Sequence, residues 1–247
     1  MKKNRDHDFL YLKDQQYLTT PKHTTLIFEN LLKDISFGKD YTSLWDIGCS
    51  NGSMLNYLQS KFTNCKFFGS DIIPESIELA KQRTSDTIEY FIDDITKKKN
   101  TSIRCDVLIS VGVFQIYDDI AKLIQNYLSR SEDEGYILLQ GPFNKYGVDV
   151  NITYRDNKNT KTNLLDQGGW NIWSLDHIEE EVKKIKEIES FEFIPVVFPD
   201  SLKIQHNKED PLRSWTTNVN GVNQFLNALV LQDHYVVKLK VNKSIKK

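Results

Sequence analysis

The sequence predicts an α/β fold on a mostly parallel sheet whose last strand is reversed. Three observations predict it. Between residues 43 and 141, short apolar runs alternate with helix-patterned segments across connections of a few residues. The runs are nearly continuous in apolar residues, as expected of parallel strands covered on both faces. No helical pattern lies between 191 and 241, so the final run, "HYVVKLKV", cannot be reached by an ordinary crossover. It is expected antiparallel to its neighbour.

The elements follow in order. Thr24 is placed to cap a helix from Thr25 to Ile35, with Leu26, Ile27, Leu31 and Leu32 on one face. "SLWDIG" is the first strand. "SMLNYLQSKF" is a helix with Met54, Leu55 and Leu58 on its apolar face. "CKFFGSD" is a strand ending in Asp71, and "PESIELAKQR" is a helix with Pro74 at its first position, where a missing N–H costs nothing. "IEYFIDDI" and "CDVLISVGVF" are strands, residues 118–130 a helix, and "GYILLQG" a strand. Residues 143–173 are polar, aromatic and glycine-bearing, with no clear period. Ser174 caps a helix through Glu189, and "FEFIPVVF" is a strand. Asn220-Gly221 between two β-prone runs signals a hairpin.

A chain of 247 residues with 39% hydrophobic and 27% charged residues can bury one sizeable core, so a single domain is expected over 1–247. Residues 1–35 would form an N-terminal helical lid, 40–145 the binding core, and 146–247 the acceptor region. A net charge of −2, with no basic stripe, argues against a nucleic-acid partner. Lys97-Lys98-Lys99 reads as a solvated turn. No apolar stretch is long enough for membrane insertion, and no targeting segment is evident. Cys49, Cys65 and Cys105 form no CxxC pair, and no histidine stands at metal-ligand spacing. No metal is expected, and a reducing cytoplasm is the simplest setting.

The functional signal begins with "LWDIGCSNGS", residues 44–53. A buried strand that stops at a glycine turn and enters a helix presents backbone N–H groups to a ligand. A nicotinamide fingerprint would need glycines at 48, 50 and 53; the chain has Gly48, Ser50 and Ser53. Asp46, two residues before the first glycine, suits a ligand with an amino group and a sulfonium better than one with phosphates. Asp71 ends the next strand, where a carboxylate can accept ribose hydroxyls. Asp94 ends the third, in reach of an adenine amino group, with Ile95 packed on the ring.

Together, "LWDIGCSNGSML", "FFGSDIIPESIELAKQR", "IEYFIDDI", "CDVLISVGVFQ" and "GYILLQGPF" resemble the successive motifs of class I S-adenosylmethionine-dependent methyltransferases. The resemblance covers about residues 40–145. It implies a Rossmann-like sheet of seven strands and S-adenosylmethionine as cofactor. By position, it places Asp46, Gly48, Cys49 and Gly52 at the methionine end. Asp71 and Ile72 fall at the ribose and adenine, Asp94 and Ile95 beside the adenine, and Ser110 and Val111 beside the methionine part. Two positions depart from the pattern. Ser50 replaces the middle glycine, which is tolerable where its φ is not positive. Ile116 stands where many relatives carry a histidine. The segment "DPLRSWTTNVNGVNQFLNALVLQDHYVVKLK" resembles methyltransferases encoded among bacterial surface-polysaccharide genes. That likeness implies a sugar, nucleotide-sugar, phosphate or phosphoramidate acceptor.

An already activated methyl group needs an aligned nucleophile, and an alcohol nucleophile also needs a base. Gln115, Asn144 and Tyr146, in the loops after the fourth and fifth strands, are expected at the acceptor. Tyr17 and His23 are expected in the lid, Tyr17 against the acceptor and His23 as the base. His177 and His234 stand at element starts, and His7 and His206 in polar segments. Two alternatives remain open on these residues: a non-catalytic module that binds the same cofactor, and a nicotinamide-dependent oxidoreductase.

Overall fold

The computed structural model describes residues 20–97, 101–154, 168–205, 214–227 and 230–244. Tyr17, His7, His206, Lys98 and Lys99 lie outside the described residues.

Helix α1 (His23–Asp34) packs Phe28, Leu31 and Leu32 inward. Lys22 is its N-cap, so Thr24 lies inside the first turn rather than capping it. Leu31 and Leu32 are buried as expected, but in the first turns Thr25 and Phe28 take the inward positions and Leu26 is exposed. There follow β1 (Ser43–Ile47), α2 (Ser53–Lys61), β2 (Lys66–Asp71), α3 (Pro74–Arg83), β3 (Ile88–Ile92), β4 (Cys105–Val111), α4 (Ile120–Arg130) and β5 (Ser131–Asn144). Pro74 opens α3 as expected. Asp119 caps α4 by accepting from the Lys122 N–H, which fixes the start of the most amphipathic helix in the molecule.

Strands β1 to β5 form a parallel sheet in the order β3-β2-β1-β4-β5. Long β11 (Val230–Val241) lies beside β5 and antiparallel to it, which bears out the expected reversal. Its far side takes β8 (Ile188–Pro195), also antiparallel. The seven-stranded mostly parallel sheet is therefore β3-β2-β1-β4-β5-β11-β8. The expected hairpin is β9 (Trp215–Val219) and β10 (Val222–Asn227), joined through Asn220 and Gly221, both at positive φ. It extends the sheet along the first residues of β11.

The stretch after β5, aperiodic in sequence, contributes β6 (Val150–Tyr154) and β7 (Gly168–Ser174), an antiparallel pair. β7 adds to β5 at Phe143 and Asn144, just past the point where β4 ends opposite Gln140. Helix α5 (Leu175–Lys183) starts at Ser174, whose Oγ accepts from the His177 N–H as expected, but stops short of Glu189 because β8 begins there.

Apolar packing lies on both faces of the sheet. One cluster centres on Trp45, Leu108, Tyr127 and Ile137 under α4 and α5; the other on Phe28, Leu44, Leu55 and Ile109 under α1 and α2. This sandwich is what holds the carboxyl ends of β1, β2 and β4 at one edge.

Candidate active site

At that edge lies a cavity of about 380 Å³. Its lining includes Asp46, Gly48, Cys49, Ser50 and Asn51 from β1 and its turn, Asp71 and Ile72 after β2, and Ile95 after β3. Val111, Gly112, Val113 and Gln115 line it after β4. Tyr154, Gly169 and Trp170 come from β6 and β7, and Gln232 and His234 from β11.

The turn after β1 is held by backbone geometry. Gly48 and Cys49 both donate N–H to Ser70 O (2.7 and 3.0 Å). Gly48 has φ +87°, and a Cβ there would meet Val113 Cγ2 at 2.2 Å. Ser50, at φ +50°, occupies the left-handed region that the sequence reading required it to avoid. What offsets that strain is its N–H, which donates to Asp71 Oδ2 at 3.0 Å. The other Asp71 oxygen accepts from Ile73 N–H at 3.0 Å. Asp71 is thus oriented by two backbone donors at the mouth of the β1 turn.

Asp46 is 3% exposed. Burial and the neighbouring charge of Asp71 push its pKa up to about 8, and no hydrogen bond from the described residues offsets them. A cationic ligand would draw it back toward the charged form. Burial first, then Asp46 and Asp71, push the Cys49 thiol far up, so it is no nucleophile at neutral pH. Ile72 is 37% exposed at the rim, an apolar side chain free to lie on a flat ring.

Several expected residues stand elsewhere. Gly52 does not face the cavity: its φ is +75°, and a Cβ would meet Tyr90 Oη at 2.4 Å and Ala80 Cβ at 3.1 Å. Its role is to let the turn close on the core. Asp94 turns away, accepting from Thr96 N–H (3.1 Å) and Thr96 Oγ1 (2.6 Å). Asp93 lines the cavity instead, its carboxylate held by fully buried Arg130 (Nε 2.8 Å, Nη2 3.0 Å). Ser110 lies beneath β1, donating to Ile47 O (2.7 Å) and accepting from Tyr127 Oη (2.8 Å). Asn144 and Tyr146 form a surface turn: Asn144 Nδ2 donates to Val148 O, Asn144 Oδ1 accepts from Tyr146 N–H, and Tyr146 is 72% exposed. His23 makes a 3.2 Å hydrogen bond with Val197 O through Nε2 and packs on Phe198, outside the lining. Its neighbours Lys22, Thr24 and Thr25 line the cavity in its place. Of the residues expected at the acceptor, Gln115 is in the lining.

Trp170, Gln232 and His234 were not anticipated there. The available signal was the uncharged run Gly168–Ser174, and the alternation Gln232, His234, Val236 that puts two polar side chains on one face of a strand entering the core.

Residues 45–137 match a family model described as a methyltransferase domain. Over 124 residues the chain is 26% identical to malonyl-[acyl-carrier protein] O-methyltransferase 1 of Ilyobacter polytropus, a match covering 49% of this chain and 44% of that protein. The match therefore spans under half of that relative's length. Among solved structures, the plantazolicin methyltransferase BpumL, in complex with a pentazolic desmethylPZN analog and SAH, superposes with a TM-score of 0.59 at 13% identity, covering 97% of this chain and 93% of that one. The N-methyltransferase NodS of Bradyrhizobium japonicum, in complex with S-adenosyl-l-homocysteine (SAH), gives 0.53 at 13% identity over 96% and 99%. A TehB-like SAM-dependent methyltransferase of Corynebacterium glutamicum gives 0.55 at 14% identity over 97% and 100%. Residues 45–137 thus match a methyltransferase-domain model, and the chain shares the α/β fold of structures of S-adenosylmethionine-dependent methyltransferases.

Proposed function

We propose that this chain, acting as a single domain, transfers a methyl group from S-adenosylmethionine to an oxygen of a small molecule. The observation that carries the reading is the pair of acids, Asp46 and Asp71, on consecutive strand ends at one cavity. Asp46 is buried with no compensating hydrogen bond among the described residues, which suits a cation. Asp71 is oriented to accept from a ribose. Ile72 and Ile95 offer apolar surface for an adenine.

When bound, the cofactor supplies a methyl group activated by its sulfonium. What the chain adds is orientation and exclusion of water. Asp46 and the turn at Gly48–Asn51 fix the methionine end, Asp71 fixes the ribose, and the β7 and β11 walls close the far side. The nicotinamide alternative is disfavoured by Ser50 and Ser53, and the non-catalytic alternative by a cavity that continues past the cofactor residues to Trp170 and His234.

The acceptor reading, a sugar, nucleotide-sugar, phosphate or phosphoramidate of surface-polysaccharide synthesis, rests on the likeness of the C-terminal segment. That segment supplies Ser214, Gln232 and His234 to the lining, so acceptor choice would lie in it. A cytoplasmic setting goes with the three free cysteines. No described helix is long and apolar enough to cross a membrane.

Incubation with methyl-labelled S-adenosylmethionine and a panel of sugar, nucleotide-sugar and phosphorylated acceptors should yield a labelled product in one class. Tight cofactor binding without labelling by that panel or by a cell extract would favour the non-catalytic module.

A further inference from the structure

Seven buried side-chain polar atoms have no hydrogen-bond partner among the described residues, and four belong to residues lining this one cavity: Gln115 Oε1, Trp170 Nε1, Gln232 Nε2 and His234 Nε2. A buried polar group left unpaired costs about 1–3 kcal/mol. Four at one cavity is more than packing accident explains, and it marks a ligand face.

The chemistry of that face is readable. An indole N–H only donates. His234 Nδ1 accepts from Gln140 Nε2 at 2.8 Å, so a neutral imidazole carries its proton on Nε2. Burial pushes the His234 pKa down to about 4, which keeps the ring neutral. Phe198 and Phe225 pack against it, at 5.7 and 5.4 Å between centroids, so the ring is confined. Gln232, two residues before it on the same strand face, adds an amide N–H. Asn171 ties β7 to the loop after β4 by donating to Tyr117 O (2.9 Å) and Asp118 Oδ1 (3.1 Å), which fixes the strand that carries Trp170.

We propose that Trp170, Gln232 and His234 are the acceptor-binding residues, a wall of neutral N–H donors that takes an acceptor bearing an oxyanion, carboxylate or phosphate-type. This rests on the methyl-transfer reading and narrows it to acidic oxygens. His234 is then a donor, not a base. An oxyanion needs none: as the new O–CH₃ bond forms the S–CH₃ bond breaks, sulfur keeps the electron pair, and no proton has to leave. It follows that the histidine missing at Ile116 has no task here that another residue must take over.

The test uses the full chain, ¹⁵N-labelled and loaded with S-adenosylhomocysteine, with loading checked by calorimetry. His234→Asn and Trp170→Phe assign the two ring N–H signals. Long-range ¹H–¹⁵N spectra should show the Nε2–H tautomer of His234. Both signals should then move on titration with acetate or with methyl phosphate, the two arms separating carboxylate from phosphate, and stay still with methylamine. Trp170→Phe should weaken the effective probe by about tenfold, the loss expected of one hydrogen bond to a charged group. An Nδ1–H tautomer or an imidazolium would overturn the proposal. So would a response to methylamine instead, silence with both oxyanions, or a response that Trp170→Phe leaves unchanged. Failure of S-adenosylhomocysteine to bind would instead sink the methyltransferase reading itself.

Discussion

One end of the cavity is built from neighbours in sequence and the other from strangers. The end we propose for the cofactor takes Asp46, Asp71, Asp93 and Val111 from the ends of β1 to β4, four strands laid down in order. The far end takes Trp170 from β7 and Gln232 and His234 from β11, strands far apart in sequence that each pair with β5. The first end is dictated by strand–turn–helix geometry, since a turn that leaves a parallel strand has only a few backbone routes. The second is dictated by sheet register: His234 stands opposite Pro142, and Trp173 opposite Phe143. A cofactor shared by a whole class can be served by the first kind of construction. An acceptor that differs between enzymes needs the second, where insertions change one wall without touching the other.

Substitutions can break this division, and the largest effect is expected beneath the cofactor end. Arg130 is fully buried against Asp93 and stacks over Trp45 at 5.9 Å. Arg130→Leu leaves a carboxylate buried without its partner and should cost about 3–5 kcal/mol in denaturant unfolding. A cost under about 1 kcal/mol would show that the ion pair is not what braces β3.

Gly52→Val comes next. It forces a β-branched residue to positive φ and a Cβ into the Tyr90 ring. Unfolding should show a loss of about 3 kcal/mol or more. A stable variant that simply fails to bind cofactor would return Gly52 to the ligand side of the turn.

Asp71→Ala should weaken cofactor binding by about 1–3 kcal/mol, measured by calorimetry on folded protein. Unchanged affinity would detach Asp71 from the ribose.

The smallest effect tests the far end alone. Asn171→Ala releases β7 from the loop after β4 and should lower acceptor use severalfold, with S-adenosylhomocysteine affinity moving by less than about 0.5 kcal/mol. A matching loss of both would mean that the two ends are one mechanical unit.

The same division explains what could be read in the chain. β1 to β5 and the reversed β11 were legible because buried strands are apolar and their turns carry glycine and proline. Asp71 was legible because it is the last residue of its strand. β6 and β7 were not, since "GGWNIWS" mixes glycine, asparagine and serine into a strand buried along its whole length. Its Asn171 is satisfied by the long-range partners Tyr117 and Asp118, and no local period reports that. Asp93 and Asp94 could not be told apart in sequence, because the choice depends on Arg130, far along the chain at the end of α4. His23 looked apt as a base from its place before a helix. Only the packing of residues 197 and 198 shows it engaged outside the cavity.

The central claim is that Asp46 and Asp71 hold a cationic nucleoside, and the proton on Asp46 tests it most directly. Its pKa in the ligand-free protein is raised from 3.8 to about 8. The unfolded chain therefore gives up this proton first, and the ligand-free protein loses stability as pH rises from about 4 to about 8. A bound cation favours the carboxylate, so cofactor binding must release a proton below that pKa. Calorimetry of S-adenosylmethionine from about pH 6 to about pH 8, in two buffers of different ionisation heat, should show affinity rising with pH by up to about tenfold per unit, with close to one proton released. Asp46→Asn should bind more weakly and lose that dependence. Affinity that is flat with pH in the wild type, or that rises with pH equally in Asp46→Asn, would contradict the account.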